Sequence, residues 1–167
     1  MNGKLGAYVE RAYWRWMLRT SSAMLPQGLR FIYVSARGDK TSAELQVVLV
    51  GALSRISQAK GGFGELVNSH LRFVAALDAP KPMVVVNARG YVTPFTDLEV
   101  SNEHYLACRL IWAATYVRLS RDAIVHKVTR DLDAIRRVSY EAQMRFTKQF
   151  ADAKEWVEYL EQHPSGL

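Results

Sequence analysis

Apolar residues along this chain recur at three- and four-residue steps in several long stretches. Short runs rich in β-branched and aromatic residues lie between them. The first pattern predicts amphipathic helices and the second predicts strands. Residues 4–24 open with the helical pattern: Leu5, Val9, Ala12, Tyr13 and Trp16 share one face. Lys4, Tyr8, Arg11, Arg15 and Arg19 line the other, with Trp14 and Leu18 beside the basic stripe. Pro26 and Gly28 stop this element. Thr41 with Glu44 reads as a capping box for a second helix running to about Ala59, with Leu45, Val48, Leu49, Ala52, Leu53 and Ile56 inward. Val47, Val48 and Val50 also suit a buried strand, but the cap and the long periodic tail favour helix. Gly61, Gly62 and Gly64 break it. A short helix over 65–77 follows, with Leu66, Val67, Leu71, Val74 and Leu77 inward, and Pro80 and Pro82 end it.

The strand pattern appears at 29–35, 83–86 and 91–95. Asn87, Ala88, Arg89 and Gly90 suit a hairpin turn between the last two, and Pro94 points to an edge position. Ser101 is the expected cap of a helix over 102–118, which is apolar nearly all round. Such a helix belongs at the centre of a core, and Leu106, Leu110 and Trp112 are its expected buried residues. Residues 121–162 contain no proline or glycine. Their apolar positions run from Ile124 through Ile135, Phe146 and Val157 to Leu160 at steps of three and four. They predict one long helix, or two helices broken near Ser139. The expected fold class is α+β and helix-rich: a small two- or three-stranded sheet packed by several helices, with a long C-terminal helix or helical hairpin. Residues 1–167 are expected to form one domain, in which the region of about 121–162 serves oligomerisation or docking.

Composition narrows this reading. The 167 residues are 49% hydrophobic and 23% charged, which fits one folded domain and argues against disorder. No run approaches the roughly 20 apolar residues of a membrane span. Arg11, Arg15 and Arg19 interrupt any leader-like apolar stretch, so a cytoplasmic location is expected. Cys108 is the single cysteine, so no internal disulfide forms. It lies in an apolar run and reads as a buried thiol. His104, four residues earlier, shares its helix face and is the only motif-level hint of a nucleophile–base pair. The net charge of +6 is uneven: residues 1–60 carry nine basic and three acidic residues, while the rest of the chain balances. That asymmetry places the electrostatic signature of an anionic partner in the N-terminal part.

Motifs for chemistry are sparse. His70, His104, His126 and His163 never pair at i, i+4, and no Cys-x-x-Cys or HExxH occurs, so no metal site is expected. The glycines at 61, 62 and 64 follow a helix and lack the Lys-Ser/Thr of a phosphate loop. Asp131 and Asp133 diverge on a helix. No GxSxG, Ser-x-x-Lys or kinase pattern appears. No cofactor is expected, and catalytic residues stay unassigned. The leading expectation is a non-catalytic regulatory or adaptor protein acting through protein–protein binding. Its partner or homodimer interface would be Phe146, Phe150, Trp156, Val157 and Leu160. The alternative is binding of nucleic acid or another polyanion through Lys4, Arg11, Arg15 and Arg19. Contact with an anionic membrane surface through the same helix ranks below it. A further alternative is an enzyme whose site no motif signals.

Overall fold

Alternating side chains build a sheet that is covered on both faces. The computed structural model describes residues 12–19, 22–25, 28–33, 42–77, 79, 81–94, 102–126, 128–129 and 131–162. Five strands, β1 (Ser22–Met24), β2 (Arg30–Tyr33), β3 (Phe73–Leu77), β4 (Met83–Val85) and β5 (Gly90–Pro94), lie in the order β1-β2-β3-β5-β4. The central strands β2, β3 and β5 are parallel, and β1 and β4 flank them antiparallel. One face of the sheet carries Phe31, Val74, Ala76 and Tyr91 into the main core. The other carries Ile32, Phe73, Ala75 and Val92 into a smaller core. This is the period-2 alternation of a strand, with both faces buried.

Helix α1 (described over 12–19) covers the smaller core with Trp14 and Met17. On the opposite side lie α2 (Ser42–Gln58), α3 (Phe63–His70) and α4 (Glu103–Val125). Helix α5 (Leu132–Thr147) packs back on α4, and a 3-10 turn (Ala151–Ala153) leads into α6 (Lys154–Gln162). Leu106, Leu110 and Trp112 of α4 are buried as the sequence predicts, and α4 touches α2, α3 and α5. The protein is therefore a helix-rich α+β structure.

Several expectations are corrected. Among the described residues the sheet has five strands rather than two or three. The main cause is residues 73–77, which the sequence placed in the helix over 65–77. Helix α3 ends at His70, and Leu71 is already extended. Phe73 to Leu77 is apolar without period because helices bury it on both faces, as a central parallel strand requires. Strand β1 falls where the tail of the 4–24 helix was expected. Strand β5 is interior rather than at an edge: Pro94 closes its far end opposite Leu77, and β4 takes the edge. The cap of α4 is Asn102, whose side chain accepts from the Tyr105 amide at 2.9 Å. The predicted cap Ser101 lies outside the described residues.

The C-terminal region is neither one helix nor a hairpin broken near Ser139. Residues 121–125 finish α4, Asp131 caps α5 through the amides of Asp133 and Ala134, and a second break precedes the 3-10 turn. Ser139 lies buried inside α5, its hydroxyl donating to the Ile135 carbonyl at 2.7 Å. The two aromatic faces of α1 are also exchanged. Trp14 and Met17 are buried, whereas Tyr13 and Trp16 are 48% and 58% exposed. Trp14 stacks on Phe73, with ring centroids 4.8 Å apart. Phe73 in turn lies across from Gly90, where a Cβ would overlap its ring. Glycine at 90 is what lets that aromatic pair close onto the sheet.

Candidate functional site

The parallel register of β2, β3 and β5 brings three arginines to one end of the sheet. Arg30 opens β2, Arg72 immediately precedes β3, and Arg89 immediately precedes β5. Their backbones are bonded in sequence: the Arg30 amide donates to the Arg72 carbonyl at 3.0 Å, and the Arg72 amide donates to the Arg89 carbonyl at 2.7 Å. Neighbouring strands lie about 4.8 Å apart, a spacing that side chains of this length bridge. Arg30 donates from Nη1 to the Leu18 carbonyl at 2.9 Å, which ties the end of α1 to this end of the sheet. Arg89 holds a left-handed backbone, φ 60°, and its Nε reaches the His70 carbonyl at 3.4 Å. A non-glycine residue in that region is uncommon and marks a position fixed by its surroundings.

Two adjoining cavities open at this end of the sheet. One, of about 470 Å³, is lined by Arg15, Arg19, Arg30, Arg72 and Arg89 together with Asn68 and Leu71. The other, of about 260 Å³, is lined by Arg15, Arg72 and Arg121, by Asn87, and by apolar side chains that include Trp14, Ile124 and Val125. Arg15, Leu18 and Arg72 border both, so the two form one groove running from α1 past the strand starts to the end of α4. Among the described residues, no carboxylate lines either part, and none forms an ion pair with Arg15, Arg19, Arg72, Arg89 or Arg121. Arg89 is held below the ordinary guanidinium range by burial and then by the charges of Arg72 and Arg121. His70 is lowered by burial, then by Arg89 and Arg118, against a weaker opposing pull from Asp122. In both, burial is the largest cause, and neighbouring arginine charges add to it.

Of the predicted polyanion-binding residues, Arg15 and Arg19 are exposed and lie in this groove. Lys4 and Arg11 lie outside the described residues. The sequence reading missed Arg30, Arg72, Arg89 and Arg121. They are scattered along the chain, and only the strand register unites them. The proposed interface residues have different surroundings. Phe146 is fully buried between Phe63, His104 and Phe150, and Leu160 is 3% exposed. Phe150, Trp156 and Val157 are half-buried, and Trp156 lies against Tyr105. Phe146 and Leu160 therefore serve this chain's own packing.

A second polar cluster joins α2, α4 and the 3-10 turn. Arg55 pairs with Asp152 at 2.7 Å and with Glu103 at 3.6 Å, and its Nη1 stands 3.3 Å from His104 Nδ1. His104 is 4% exposed, stacks on Phe146 and, among the described residues, has no hydrogen-bond partner at Nε2. Burial, then the Arg55 charge, lower its pKa to about 4, so the ring is neutral near pH 7. Cys108 is directed to Thr147, Sγ to Oγ1 3.0 Å, and burial pushes its thiol up to about 12. A thiol so buried and protonated is a packing residue rather than a nucleophile. Among the described residues, no group of three His, Cys, Asp or Glu is placed to hold a metal ion. Among them, too, no helix is long and apolar enough to cross a membrane. No family model, curated protein or solved structure matches this chain.

Proposed function

We propose that the protein binds nucleic acid by gripping phosphates along the arginine groove. The observation that carries this reading is the convergence of Arg15, Arg19, Arg30, Arg72, Arg89 and Arg121 on one groove, whose lining among the described residues has no carboxylate. Like charges held this close repel, and an arriving chain of phosphates relieves that repulsion while it releases its own counterions. The groove spans two cavities, which suits a polymer of charges better than one small anion. Contacts of this type set position and affinity, whereas sequence preference needs groups that reach the bases.

Fluorescence anisotropy with a labelled oligonucleotide, from about 50 mM to about 200 mM salt, tests the reading. Affinity should fall linearly on a log–log plot. Combined Arg15→Ala, Arg72→Ala and Arg121→Ala should weaken binding and reduce the slope by roughly 0.7–0.9 per arginine removed. All three side chains are exposed, so the variant should stay folded. No retention of the oligonucleotide at the lowest salt would overturn the proposal. So would retention on anionic vesicles alone, which would assign the groove to a membrane surface.

A second reading, a non-catalytic adaptor or self-associating protein, is supported by exposed apolar side chains at the α4–α5 junction. Ile124, Val125, Val128 and Leu132 are 47%, 69%, 63% and 43% exposed. The half-buried Phe150, Trp156 and Val157 would add to such a surface only from α6 and the turn before it. Light scattering over a dilution series checks self-association: a rise in mass with concentration is its expected result, and a constant monomer mass removes it.

A further inference from the structure

We infer that the groove takes single-stranded nucleic acid and seats one unpaired base in the chamber at its α4 end. This rests on the nucleic-acid reading above and adds the class of strand. The two halves of the groove differ in chemistry. The larger half is dominated by five arginines, which is what a phosphate track needs. The smaller half combines the apolar Trp14, Leu18, Ala88 and Ile124 with Arg15, Arg72 and Arg121. A ligand made only of phosphates and sugars gains nothing from the apolar half of that chamber. A nucleotide does: its base has two apolar faces and a polar edge, and it hangs from the phosphate that the track would hold.

Size and access support the same assignment. The chamber is about 260 Å³, just below the roughly 300 Å³ at which drug-sized ligand sites begin, which suits one planar ring and not a base pair with both strands. Ile124 is 47% exposed, so the mouth is open to solvent. A base in duplex is stacked and paired and cannot enter without being extruded, which costs its stacking and pairing energy. Unpaired bases meet no such cost, and pairing a basic track with apolar or aromatic platforms is the general solution for single strands. Trp14 is buried and its ring is stacked on Phe73, so that part of the wall is held in place.

The test compares three labelled probes of equal length at matched salt: an oligothymidylate, an abasic deoxyribose-phosphate strand, and a duplex. The thymidylate should bind about tenfold more tightly than the abasic strand. Ala88→Leu, which fills the chamber, and Ile124→Ser, which removes apolar wall at an exposed position, should each reduce that ratio toward one. Neither changes a charge, so binding of the abasic strand should be unaffected. Ile124→Ser keeps the test valid if Ala88→Leu fails to fold. Equal affinity for thymidylate and abasic strands, or tighter binding of the duplex, would overturn the inference and leave the phosphate-binding proposal standing. Failure to retain any of the three would instead remove the proposal on which it rests.

Discussion

Phe146→Ala is expected to destabilise the protein by about 3–5 kcal/mol, measured as a lowered urea midpoint with little change in slope. The side chain is fully buried, and its ring meets Phe63 edge-on at 5.5 Å, stacks on His104 at 5.7 Å and touches Phe150 at 5.2 Å. Those neighbours come from α3, α4 and the segment after α5, so no single rotamer change refills the space. The cavity term therefore adds to the lost transfer energy. Trp156, half-buried on α6, gives the contrast: Trp156→Ala removes a ring that solvent already partly reaches. A loss at Phe146 below about 1 kcal/mol would show that α5 is not anchored where the structure places it.

The contrast between Phe146 and the arginine groove shows what was legible in the sequence. Burial at 3.6-residue spacing was readable: α2 and α4 appear where the pattern predicts them, and Leu106, Leu110 and Trp112 are in the core. The same pattern could not say what covers the face. The seam through Phe146 and Leu160 read equally as a partner surface or as internal packing. Only the breaks after α4 and α5, which let the tail fold back, decide for packing. Strand β3 was hidden for a related reason. A strand buried on both faces has no alternation to detect, and Phe73 to Leu77 continued the apolar run of the preceding helix. In α1 the sequence offers aromatic residues on both faces, so periodicity selected Tyr13 and Trp16 where the sheet in fact receives Trp14 and Met17. The groove depends on register. Arg30, Arg72 and Arg89 become neighbours only because three parallel strands begin at the same level, and one-dimensional spacing carries no trace of that.

Stability should fall as pH drops from about 6.5 to about 4, and His104 should account for most of the fall, on the order of 3 kcal/mol. The sign follows from which state takes the proton. Above about pH 6.5 the ring is neutral in both states and contributes no pH dependence. Between the unfolded value of 6.5 and the folded value of about 4, the unfolded chain binds a proton that the folded chain refuses. Stability then decreases with falling pH, and the loss levels off once both states are protonated. The folded ring resists charging because burial strips its water and the Arg55 guanidinium faces Nδ1, while among the described residues Nε2 has no acceptor to receive a second hydrogen bond. His70 is depressed in the same direction and adds a smaller contribution to the same limb. Asp152 acts lower. The Arg55 hydrogen bond holds its carboxyl below the ordinary value of 3.8, so its contribution is lost only at more acidic pH than the His104 limb. Urea unfolding from about pH 7.5 to about pH 4.5 therefore isolates the histidines. His104→Phe keeps a ring against Phe146 and removes the titrating group, so it should flatten most of the limb while leaving stability near pH 7 within about 1–2 kcal/mol. An unchanged limb in that variant would show that His104 is not the group responsible.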